Sequence, residues 1–64
     1  MEFKITIKGK LSAWFIRSSH TSVYYALVEL FGHETAASAE GWCELASIGE
    51  HYEDNGFEIE VVER

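Results

Sequence analysis

Two short runs at opposite ends of the chain share a period and carry complementary charge, and together they constrain the fold more than any other feature. In residues 3 to 7, Phe3, Ile5 and Ile7 fall on one face, and Glu2, Lys4, Thr6 and Lys8 fall on the other. That is the period-2 signature of a half-buried strand. In residues 57 to 63, Phe57, Ile59 and Val61 face one way while Glu58, Glu60 and Val62 face the other. Laid side by side, the two runs make one continuous apolar face, with Lys4 and Lys8 beside Glu58 and Glu60 as cross-strand partners. The rest of the chain must then cover that face.

After the first strand, Lys8-Gly9-Lys10 reads as a tight turn, because glycine accepts the positive φ that hairpin loops demand. A three-residue loop sets Ile7 opposite Leu11, Ile5 opposite Ala13 and Phe3 opposite Phe15, so every inward residue meets an apolar partner. Trp14 and Ile16 then point outward with Lys4 and Thr6, and large apolar residues on an outer face call for something to cover them. The competing reading makes residues 11 to 15 the start of a helix.

Arg17 to Ser22 is a hydroxyl-rich connection in which Ser19, Thr21 or Ser22 can cap a helix. Val23, Ala26, Leu27, Leu30 and Phe31 follow at i, i+3, i+4, i+7 and i+8, the stripe of a core-facing helix, and Gly32 supplies its stop. Val23, Tyr24, Tyr25 and Val28 are also good strand formers, so a strand over 23 to 31 remains the alternative. A second helix is expected from about Ala36 to about Tyr52, capped by Thr35 or Ser38, with Gly41 and Gly49 as weak points. Ala39, Trp42, Cys43, Ala46 and Gly49 line one side of it, Leu45 and Ile48 flank them, and Glu40, Glu44, Glu50, Glu53 and Asp54 take the solvated sides. Asn55-Gly56 is a turn dipeptide joining this helix to the last strand. The expected fold is a single α+β domain over residues 1 to 64. It is a small mixed three-stranded sheet in the order β-β-α-α-β, with the first strand central and two helices packed on one face.

At 64 residues, a chain buries only about 60% of the surface it exposes when unfolded, so its stability margin is thin. One cysteine, Cys43, rules out an internal disulfide. With no signal-like apolar run after Met1, it points to a reducing, cytoplasmic setting. No stretch approaches the ~20 apolar residues of a membrane span. Charge is the strongest global bias, with 5 Lys and Arg against 11 Asp and Glu, a net of −6. Residues 1 to 17 carry four bases against Glu2, and residues 18 to 64 carry ten acids against Arg64. An acidic exterior repels phosphate backbones, which disfavours direct nucleic-acid binding.

Candidate chemistry is sparse. Cys43 with His33 and His51 is the set that can bind a metal or make a nucleophile, yet it lacks the spacing of a zinc site, and a cysteine among Trp42, Ala39 and Ala46 reads as a small buried hydrophobe. His20 between Ser19 and Thr21 reads as a loop residue. Glu40 with Glu44, and Glu50 with Asp54, each lie one helical turn apart; such pairs can hold an ion or trade a proton, and a solvated helix face is the simpler meaning. The expectation is therefore a protein without catalytic residues, cofactor or metal, which binds another protein or a second copy of itself, as a homodimer. Trp14, Ile16 and Tyr25 form the expected contact patch, and Glu40 and Glu44 the electrostatic partner surface. The alternatives are an acidic inhibitor that imitates nucleic-acid phosphates on a basic partner, and a metal- or thiol-dependent activity at Cys43 with a histidine.

Overall fold

The computed structural model describes residues 1–9, 13–54 and 56–63. Its elements run β1 (Glu2–Ile7), β2 (Ala13–Arg17), α1 (His20–Phe31), α2 (His33–Leu45), β3 (His51–Asp54) and β4 (Phe57–Glu63). The two matched terminal runs are adjacent strands. Phe3 stands opposite Val61, Ile5 opposite Ile59 and Ile7 opposite Phe57, in antiparallel pairing. Because side chains alternate along a strand, this one register places all six apolar residues on the same face. Phe3, Ile5, Phe57, Ile59 and Val61 are fully buried there.

The class is α+β as expected, but the sheet differs from expectation. It has four strands in the order β2-β1-β4-β3, and each pairing is antiparallel. The added strand is β3, which the sequence reading gave to the end of the second helix. Its pairing sets Asp54 opposite Phe57, so β3 and β4 form a hairpin where a helix was expected to lead into the last strand. Asn55 itself lies outside the described residues.

The first hairpin also closes in another register. Ile5 meets Phe15 and Ile7 meets Ala13, with Arg17 beside Phe3, a shift of two residues from the expected pairing. A two-residue shift preserves the side-chain parity, so Trp14 and Ile16 still face outward, opposite Thr6 and Lys4. The expected turn at Lys8-Gly9-Lys10 and the pairing of Leu11 fall partly outside the described residues. Lys4 stands opposite Glu60 as expected. Lys8, by contrast, pairs with Glu53 on β3 rather than with Glu58 or Glu60, because its backbone N–H is fixed on the Gly56 carbonyl at 2.9 Å, beside the β3–β4 turn.

Residues 20 to 31 are helical. Ser19 caps α1, its Oγ accepting from the Ser22 N–H at 3.1 Å. The buried stripe leans toward one side of the expected one: Val23 and Leu27 are buried, and Tyr24, Val28 and Phe31 pack beside them, whereas Leu30 is 61% exposed. Gly32 then ends one helix and starts the next. Its N–H donates to the Val28 carbonyl at 2.9 Å and its own carbonyl accepts from Ala36 at 3.1 Å. Joining two helices through a single residue requires a sharp reversal of the backbone, which Gly32 makes at φ 90°, a region other residues resist.

Helix α2 therefore starts at His33, ahead of Thr35 and Ser38, which lie inside it rather than capping it. It stops at Leu45 rather than near Tyr52. The Glu50 carboxylate accepts from the Ser47 N–H at 2.6 Å, and Gly49 donates to the Val61 carbonyl at 2.8 Å. These bonds turn the chain back onto the sheet. Leu45 and Ile48, expected to flank the core, are consequently exposed. Ala36, Ala39, Cys43 and Ala46 face inward and are buried, so small side chains let α2 lie close to its neighbours. Both helices close over the same sheet face, forming one cluster with its five buried residues. Trp42 rests on Tyr52, ring centroids 5.4 Å apart, which closes the core at the β3 edge.

Tyr52 gives this edge an alkaline sensitivity. Burial, and after it the negative charge of Asp54 and of Cys43, raises its phenol above the ordinary value near 10. The unfolded chain then ionises first, so the contribution is intact below about pH 10 and is lost as pH rises through the folded value. Urea midpoints should fall faster above about pH 10 for the wild type than for Tyr52→Phe; parallel curves would remove Tyr52 from the account.

Candidate functional site

The helices occupy one face of the sheet, and among the described residues no element packs on the other. Two rows cross it. The first runs Ile16, Lys4, Glu60, His51, and the second Trp14, Thr6, Glu58, Glu53. Alternation explains the arrangement, since each of these residues neighbours a core-facing one along its strand. Charge divides the face into halves. On β2 and β1 lie Trp14, 61% exposed, and Ile16, 37% exposed, with the Lys4 ammonium 5.1 Å from the Trp14 ring centroid. On β4 and β3 lie Glu58, Glu60 and Glu53. Within that half His51 Nδ1 is 3.4 Å from Glu58, and Lys8 reaches across to Glu53. The Lys8 ammonium, by hydrogen bond and charge, holds the Glu53 carboxyl below its usual range.

The expected contact residues thus divide between two layers. Trp14 and Ile16 share the open sheet face. Tyr25, strongly exposed, stands on α1, in the layer on the far side of the sheet, where its ring meets Tyr24 edge-on at 5.3 Å. Glu40 and Glu44 are in that helical layer too, on α2.

Glu40 and Glu44 have a companion that sequence reasoning assigned to a loop. His20 is the first residue of α1, and its Nδ1 lies 3.2 Å from Glu40 Oε2 and 3.6 Å from Glu44 Oε1. The helix spacing of four residues sets both carboxylates on one side of α2, and the reversal at Gly32 brings the start of α1 alongside the end of α2. All three ligand atoms lie within 4.8 Å of one another.

No family model, curated protein or solved structure matches the chain.

Cys43, His33 and His51 are not assembled into a three-ligand group. Cys43 is buried in the core, the His33 Nδ1 bonds the Tyr24 hydroxyl at 2.8 Å, and His51 lies on the open sheet face beside Glu58. Among the described residues, the group with metal-ligand spacing is His20, Glu40 and Glu44. No helix among the described residues is long and apolar enough to cross a membrane.

Proposed function

We propose that this is a cytoplasmic protein that acts through protein–protein contact, as a homodimer joined across its open sheet face, without catalysis of its own. The observation that carries the reading is the placement of Trp14 and Ile16, two large apolar side chains side by side on a sheet face that the helices leave uncovered. Tryptophan is the residue most favoured as an interface anchor. A second copy suits the charge layout. A twofold axis parallel to the strands sets the Lys4 half of one face against the Glu58 and Glu60 half of the other, twice over. Tyr25, with Glu40 and Glu44 in the helical layer, remains available to a further partner.

Sedimentation equilibrium should give twice the 7.3 kDa chain mass. Trp14→Glu, which removes an anchor and sets an acid against the acidic half of the other copy, should weaken the dimer by about 2 kcal/mol or more, a 30-fold change. A wild type of single mass, or a variant that dimerises as the wild type does, would sink the proposal. The phosphate-imitating alternative draws less support from this face, where Glu53, Glu58 and Glu60 each have a basic neighbour in the same chain.

A further inference from the structure

We propose that His20, Glu40 and Glu44 form a binding site for a divalent cation of the zinc class. The donor set is one imidazole nitrogen and two carboxylate oxygens, contributed by two helices, and such mixed nitrogen and oxygen sets suit borderline metals better than calcium or magnesium. The spacing fits one ion. Donors placed tetrahedrally at about 2.0 to 2.2 Å from zinc lie about 3.4 Å from one another. The imidazole nitrogen here lies 3.2 Å and 3.6 Å from its two carboxylate neighbours, and all three donor atoms lie within 4.8 Å of one another, so a bound ion draws the two glutamates in toward the imidazole.

The supports of each ligand are fixed before any ion arrives. His20 opens a helix whose first turn is held by Ser19, and the two glutamates are one turn apart on α2. The side chains are 35%, 27% and 54% exposed in the order His20, Glu40, Glu44, so an ion can enter and at least one coordination position stays open to water or to a side chain of a partner. A cation would also neutralise two carboxylates held close together on a chain of net charge −6. An imidazolium shared between the two glutamates is the arrangement that competes with this one, and metal uptake separates the two.

The test uses the full chain without an affinity tag, freed of metal by a chelator and titrated with zinc chloride by calorimetry, with the ring signals of its three histidines followed by NMR. Uptake of one ion per chain is expected, with the His20 ring signals moving and those of His33 and His51 staying in place. His20→Ala and Glu40→Gln, whose folding is checked by circular dichroism, should each weaken binding at least tenfold, and Glu44→Gln should do the same. Zinc should raise the melting temperature of the wild type and not that of His20→Ala. No uptake by the wild type, or uptake that survives His20→Ala, overturns the proposal.

Discussion

Phe57→Ala should leave the chain without a cooperative unfolding transition at room temperature. Phe57 is fully buried, opens β4, and stands between Ile7 on β1 and Asp54 on β3. Its ring lies 4.9 Å from that of Phe31 on α1 and 6.0 Å from that of Tyr52 on β3, centroid to centroid. One side chain thus joins the central strands, an edge strand and the helical layer. Truncating a buried phenylalanine costs about 3 to 5 kcal/mol, through lost transfer energy and the cavity left behind. A core in a chain of this length rarely supplies more than about 3 to 5 kcal/mol in all. Loss and reserve are therefore of one size. Phe57→Leu keeps most of the volume and should cost less than about 1.5 kcal/mol, preserving a sigmoidal urea curve at a lower midpoint. Far-UV circular dichroism through a urea titration checks both variants. A folded Phe57→Ala protein within about 1 kcal/mol of the wild type would show that the layers are held together elsewhere.

The pairing of the termini was legible because it rests on the most robust signal a short sequence carries, an apolar residue at every second position. That same periodicity protected the outward placement of Trp14 and Ile16. The hairpin register was misjudged by two residues, and a shift of two leaves every side chain on its own face, where a shift of one would have turned Trp14 into the core. Strand β3 was missed for a related reason. In His51-Tyr52-Glu53-Asp54 only Tyr52 is apolar and packs on the core, so an edge strand with one inward anchor shows almost no alternation. Its signal was Asn55-Gly56, a dipeptide favoured in two-residue hairpins, set between a short polar run and a clear strand.

The helical stripe was read with the right period and a rotated face. Val23, Ala26, Leu27, Leu30 and Phe31 fit a helix, but so do Val23, Tyr24, Leu27, Val28 and Phe31, and only the packing partner chooses between them. The second set faces the sheet, which leaves Leu30 outside. His20 was legible in principle. It precedes Gly32 by twelve residues and Glu44 follows by twelve, so a helical hairpin folded about Gly32 carries both to equal distances from the pivot, each rising about 1.5 Å per residue. What periodicity cannot supply is the rotation of each helix about its axis, and that rotation turns the imidazole toward Glu40 and Glu44.

Gly56→Ala should destabilise the fold by about 1 to 3 kcal/mol, and the cause should be the Phe31 ring rather than the backbone. The obstacle is steric. A Cβ at Gly56 would lie 2.9 Å from Phe31 Cζ and nearer still to Cε1, where carbon atoms prefer about 3.5 to 4.0 Å. The ring must shift to admit the methyl group, which disturbs its contact with Phe57, the first residue of β4. A double-mutant cycle separates the causes. In a Phe31→Leu background the shorter side chain leaves room for the new methyl group, so Gly56→Ala should cost at least about 0.5 kcal/mol less there than in the wild type. Urea midpoints of the four proteins give the coupling, and an equal cost in both backgrounds would move the cause from the ring to the turn itself.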